Sequence, residues 1–168
     1  MILILIAIDP GSTESAYVEL DEKYNIYEFD KVENNVLLEQ LKNKSYDAFV
    51  IENIASYGMA VGREVFDTCI WIGRFWQAAT AKTKDYIYRK DEKTNLCGTM
   101  KAKDSNIRVA LIDRFATFDF KNGKGTKKDP DTFYGFKADI WAAMAIGVTY
   151  LDKKAGEKTE NKNQIGNS

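Results

Sequence analysis

Residues 2–18 read ILILIAIDPGSTESAYV, and this stretch decides the fold. The apolar run through Ile8 has no polar face. It is short, rich in β-branched residues and closed by Pro10-Gly11, which makes it a central β-strand rather than a helix. Residues 15–20 (SAYVEL) return as a second strand. Asp9 is left at the C-terminal end of the first. Aspartate before Pro-Gly is good turn chemistry, so Asp9 has a plain role as the cap of that turn. A carboxylate at the end of a buried strand is also a place to hold a cation. This stretch alone leaves both roles open.

A chain of 168 residues holds one ordinary domain with a real core. Charged residues at 29% and apolar residues at 45% describe a soluble globular protein. MILILIA lacks a basic leader and is interrupted by Asp-Pro-Gly, so it reads as neither signal peptide nor membrane span. A cytoplasmic protein is expected. Cys69 and Cys97 have no CxxC spacing, which gives neither a disulfide framework nor a zinc site. Histidine is absent. That removes Ser-His-Asp and Cys-His mechanisms and leaves acid–base chemistry to carboxylates, lysines, tyrosines or metal-bound water. The net charge of −1 hides an asymmetry. Residues 1–60 carry 4 basic and 11 acidic side chains; residues 61–150 carry 16 basic and 11 acidic. The later chain is suited to face a polyanion.

Residues 24–30 alternate as a third strand, and residues 33–44 have helical spacing. Residues 46–51 (YDAFVI) form a fourth strand that delivers Glu52 at its end. This repeats the Asp9 arrangement and favours the cation role, because open α/β sheets bind ligands at that edge. Residues 53–62 are a loop carrying Tyr57 and Met59. Residues 63–82 read as a long helix apolar on two sides, one for the sheet and one for a partner subunit or DNA. Residues 85–89 make a fifth strand, 90–103 a basic loop, and 104–118 a helix. A Gly/Lys-rich, mobile loop is expected at 119–131. A last helix spans 136–151, with Asp139 near its start. The domain is placed at 1–151, with 152–168 a polar, disordered tail. The result is a mixed five-stranded sheet with helices on both faces, an order that resembles the ribonuclease H-like fold.

In that topology Asp9, Glu52 and Asp139 converge on one edge. Three carboxylates repel one another unless cations intervene. Oxygen ligands select Mg²⁺ or Mn²⁺, and two such ions about 4 Å apart suit phosphodiester hydrolysis.

These residues resemble a family. AIDPGSTESAYV is similar to the first motif of RuvC-type Holliday-junction endonucleases, and IEN at 51–53 to their second. FKADIWAAMAIGV at 136–148 resembles their last motif, and GTMKAKDSNIRVALI at 98–112 their Gly-Lys segment. The small size and missing histidines look most like the bacteriophage-encoded branch, which implies host cytoplasm. The resemblance implies metal-dependent nicking of four-way DNA junctions by a homodimer. By match, Asp9, Glu52 and Asp139 are metal ligands, Lys101 and Lys103 face the scissile strand, and the 63–82 helix is the dimer interface. The family places a further acid three residues after the last aspartate, and here that position is Ala142. Three acids with waters, or Asp129 or Asp131 swinging in, or slow cutting, are the alternatives. Tyr57 or Met59 is the nearest match to the family's junction-opening aromatic.

Candidate phosphate contacts are Lys82, Lys84, Lys90, Lys93, Lys101, Lys103, Lys121, Lys124, Lys127 and Lys128, giving salt-dependent rather than sequence-reading binding. Two further readings stand beside the nuclease. One is a branched-DNA binding protein with little cleavage. The other is a sugar-kinase or actin-like ATPase module, since residues 9–13 also resemble a phosphate-binding turn. That superfamily needs a second similar domain, and 168 residues do not hold both.

Overall fold

The apolar run of the opening stretch becomes the middle strand of a five-stranded sheet. The computed structural model describes residues 3–166; Met1 and Ile2, where the first strand is expected to begin, lie outside them. The strands are β1 (Ile4–Asp9), β2 (Glu14–Asp21), β3 (Ile26–Glu33), β4 (Ser45–Asn53) and β5 (Thr80–Tyr88), in the order β3-β2-β1-β4-β5. β1 pairs antiparallel with β2 and parallel with β4. β2 and β3 are antiparallel, β4 and β5 parallel.

Both faces of β1 are covered, which is why its sequence never alternates with polar residues. Leu5 and Ala7 join Val18, Leu20 and Val50 in one apolar layer beneath α5 (Ile140–Gly166) and α4 (Asp104–Phe115). Ile6 and Ile8 join Phe49 and Ile51 in the other, beneath α1 (Asn34–Asn43) and α2 (Arg63–Ala78). α3 (Arg89–Cys97) follows β5 directly.

α5 crosses β1 and β2 at close range, and Gly147 makes the crossing possible. A Cβ there would stand 2.6 Å from Leu20 Cδ1 and 3.2 Å from the Ala7 Cβ. The turn after Asp9 is braced by a buried polar set. Gly11 N donates to Ser15 Oγ at 3.1 Å, Ser15 Oγ donates to Asn34 Oδ1 at 2.6 Å, and Asn34 Nδ2 returns to Gly11 O at 2.9 Å. Ser15 and Asn34 are both buried. Gly11 itself leaves no space for a Cβ against the Glu14 carbonyl.

Several boundaries differ from the sequence reading. The helix expected over 63–82 ends at Ala78, and β5 begins at Thr80 rather than 85. β5 is an edge strand with an open polar face, so Lys82 and Lys84 alternate with less polar neighbours and the strand signal is weak. The stretch expected as a loop over 90–103 contains α3, which Gly98 ends at a φ of 71°. The 119–131 segment is held rather than loose: the Asp119 carboxylate accepts from the amides of Asn122, Lys124 and Gly125. α5 begins at Ile140 and continues to Gly166, so the boundary at 151 falls inside a helix and the expected disordered tail is helical through Gly166. Asn167 and Ser168 lie outside the described residues. Asp152 fixes the first turn of that extension, accepting from both Arg114 Nη atoms at 2.7 and 2.8 Å, from Tyr24 at 2.6 Å and from Asn95 at 2.8 Å. Sequence periodicity tracks burial, and beyond Asp152 the helix loses its burial but not its hydrogen bonds.

Gly147→Ala is expected to destabilise the protein by about 1–3 kcal/mol through overpacking against Leu20 and Ala7. Thermal unfolding checks this, and an unchanged melting temperature would show that the crossing is looser than described.

Candidate active site

The sheet register brings the first two acids together. Ile8 pairs with Ile51 across the parallel β1–β4 ladder, so Asp9 and Glu52 are the next residues on neighbouring strands. Leu5 and Ala7 point into the α5 layer, and strand alternation carries Asp9 to the same side. Val50 does the same for Glu52. Asp139 reaches this edge from the start of α5. Ala138, just before it, takes a left-handed conformation with φ 47°, an uncommon choice for a non-glycine residue. The Asp139 backbone carbonyl accepts the first-turn bond from Ala143 N at 3.0 Å.

The Asp9 and Glu52 carboxyl groups lie within hydrogen-bonding reach of one another, and Asp139 is near enough for its charge to act on Asp9. Burial, then the charges of Glu52 and Asp139, push the Asp9 carboxyl well above the usual carboxylate range. The Asp139 carboxylate itself is turned to Lys31 of β3, whose Nζ donates to it at 2.7 Å. That bond holds the Lys31 ammonium above its ordinary value. Among the described residues, no three acidic, cysteine or histidine side chains are gathered closely enough to hold an ion as they stand. The donor set nonetheless suits a hard divalent cation. It is all carboxylate and partly dry, and Lys31 and Arg89 offset only part of its negative charge.

A fourth carboxylate completes the crowding. Glu92, on α3, is fully buried. Its Oε1 accepts from Arg89 Nη1 at 3.2 Å, its Oε2 has no hydrogen-bond partner, and its carboxyl lies against that of Glu52. Burial, then Glu52, raises it far above an ordinary glutamate, with Arg89 opposing. Arg89 also pairs with Asp104. Lys31, Arg89 and Glu92 are absent from the sequence reading. Lys31 sits in an ordinary strand pattern, and Arg89 and Glu92 lie in RKDEK, a charge run that reads as solvated. The usable signal is position: Arg89 directly follows a strand that ends beside Glu52.

The remaining candidates are spread more widely. Asp131 is not available to a metal. Its buried carboxylate accepts from Thr117 N and Oγ1, Phe118 N, Asp119 N and Thr132 N. Burial alone would raise it, but the amides of Phe118, Thr117 and Asp119 hold it far below the usual range. Lys82 and Lys84 stand on the first half of β5, away from the acid end, and are taken by Asp47 Oδ1 at 2.7 Å and Trp76 O at 2.7 Å. Lys90 is exposed on the first turn of α3, and Lys101 and Lys103 are exposed between α3 and α4. A cleft beside Asp139 is walled by Arg89, Arg108, Trp141 and Ala142, so the position lacking an acid opens on the same cleft as Asp139. Arg108 and Trp141 also line an adjoining hollow with Lys121, Asn122 and Lys124. Lys127 and Lys128 are exposed farther along that segment. Tyr57 and Met59 project from the loop before α2, 66% and 76% exposed.

No protein-family model matches the chain, and no curated protein matches it by sequence. Solved structures do match. Thermus thermophilus RuvC overlays with a TM-score of 0.60 at 14% identity, covering 92% of this chain and 97% of that one. T. thermophilus RuvC in complex with Holliday junction substrate overlays with a TM-score of 0.65 at 16% identity, covering 92% and 96%. The chain has the RuvC fold. That is the ribonuclease H-like arrangement of a mixed five-stranded sheet with helices on both faces.

Asp131→Asn is expected to lower the melting temperature at neutral pH. The folded-state value of Asp131 is depressed, so its contribution is complete above the ordinary aspartate range and fades as pH falls below it. The gap between wild type and variant should therefore narrow on acidification. Melting curves from pH 7 to pH 3 check this; a gap that stays constant would contradict it.

Proposed function

We propose that the protein is a divalent-metal-dependent endonuclease that nicks branched DNA such as four-way junctions. The observation that carries this is the meeting of Asp9 and Glu52 on adjacent strand ends, with Asp139 arriving from α5, in the fold of a protein solved with Holliday junction substrate. Asp9, Glu52 and Asp139 would hold Mg²⁺ or Mn²⁺, two per site. Such ions supply an activated water and stabilise the leaving oxygen in phosphodiester hydrolysis.

The chain's own residues then have separate roles. If Asp139 held the cation, it would release Lys31, whose ammonium would then be free beside the site for a phosphate oxygen. Arg108, Lys121 and Lys124 line hollows beside Asp139 that a DNA backbone would follow, and the exposed Lys90, Lys101, Lys103, Lys127 and Lys128 are the further phosphate contacts of this reading. Lys101 and Lys103 face the scissile strand or its phosphates in this reading, and Lys101 is the catalytic lysine expected from the sequence. In this reading Tyr57 stacks on an unpaired base or Met59 packs against it, and the exposure of both supports this. Phe66 and Ile70 expose apolar surface on the outer side of α2, which suits a homodimer that sets two sites on one junction. Among the described residues no helix is long and apolar enough to cross a membrane; action in the cytoplasm, that of a host cell if a phage encodes the protein, belongs to the same proposal.

A second reading is a branched-DNA binding protein with weak cleavage. Ala142 facing the cleft and the Lys31–Asp139 pair favour it. The test is a labelled four-way junction with Mg²⁺ or Mn²⁺. Paired nicks are expected from wild type. Asp9→Asn, Glu52→Gln and Asp139→Asn should each lose about 10²-fold or more, since metal charge stabilisation is worth several kcal/mol. Junction binding without cutting would support the second reading instead, and equal cutting by Asp9→Asn would remove the proposed site.

A further inference from the structure

Glu92 is a buried carboxylate that the rest of the chain does not satisfy. Its side chain is fully enclosed, yet Oε2 receives no hydrogen bond from any described residue. Oε1 receives one, from Arg89, and that guanidinium is shared with Asp104. Glu52 lies against it and Asp9 is close by, so neighbouring negative charge repels it. A carboxylate left in this condition is costly, because burial removes water and no partner replaces it. Replacing it with a neutral side chain would relieve that cost. A structural role therefore explains the Arg89 contact at Oε1 but not the oxygen left without a donor beside Glu52 and Asp9.

The geometry points to Glu92 as a fourth carboxylate of the divalent-cation site, reached from α3 and sharing the ion with Glu52 and Asp9. This rests on the cation-binding reading above and extends it to a residue from another element. The position of α3 suits such a ligand. β5 ends alongside Glu52, with Ile87 its register partner and Asn53 opposite Tyr88, and the helix begins at the next residue. One helical turn from Arg89 to Glu92 then brings the carboxylate back over the strand ends. Arg89 holds one oxygen and leaves the other without a donor.

The test uses the full chain and Mn²⁺ alone, without DNA. Wild type, Glu92→Gln and Asp9→Asn are titrated with Mn²⁺ by calorimetry, and their melting temperatures are read in EDTA and in excess Mn²⁺. Glutamine keeps an oxygen for Arg89 and offers an amide N–H to Glu52. Glu92→Gln is expected to melt at or above the wild-type temperature in EDTA. It should bind Mn²⁺ at least tenfold more weakly and show a smaller Mn²⁺-induced rise in melting temperature. Unchanged Mn²⁺ affinity in Glu92→Gln would overturn the inference. So would a lower melting temperature, or failure to fold, in EDTA, because either makes Glu92 an anchor for Arg89. Loss of Mn²⁺ binding in Asp9→Asn but not in Glu92→Gln would leave the proposed function standing without Glu92. A wild type that binds no Mn²⁺ would remove both.

Discussion

Everything at the working edge of this protein follows from one enforced repulsion. The β1–β4 register sets Asp9 beside Glu52 on parallel strands, and both point to the layer under α5. Neither acid has freedom to withdraw. β1 is buried on both faces, and the turn after Asp9 is locked by the Gly11–Ser15–Asn34 set. A sheet that holds like charges together loses stability by doing so, and the two apolar layers offset the loss. The same rigidity holds Asp9 and Glu52 side by side, so in the proposed function a cation would need to recruit only Asp139 from Lys31.

Two helices bring charge to that edge from outside the sheet. The start of α5 delivers Asp139 through the left-handed turn at Ala138, and α3 delivers Arg89 and Glu92 directly from the end of β5. Lys31 neutralises Asp139 across 2.7 Å, with both side chains partly exposed. A pair of that kind is worth little in water, so the proposed cation would meet only a weak competitor for Asp139. Lys31 is thus the counter-charge that holds the Asp139 carboxylate in place at the start of α5.

The strands buried on both faces are legible in the sequence, because continuous apolar runs have only one good structural outcome. Asp9 and Glu52 are legible for the same reason: each directly follows such a run. Asp139 can be read from the small-residue face of α5. The losses have a common cause. α3, the start of β5 and the extension of α5 past Leu151 are highly charged and expose much of their surface, so hydrophobic periodicity is silent there. Glu92 is lost with α3, since a glutamate within RKDEK gives no sign that it alone among its neighbours turns inward. Asp131 misleads in the opposite direction. A loop aspartate beside glycine and lysine resembles a free ligand, but its oxygens are consumed by the amides of the segment it organises.

The most direct measurement is a crystal of the protein soaked in Mn²⁺ and probed by anomalous scattering. The account predicts a peak bonded to oxygens of both Asp9 and Glu52, with Asp139 turned away from Lys31 toward the ion. No peak at those strand ends, with Asp139 still paired to Lys31 at saturating Mn²⁺, would contradict it.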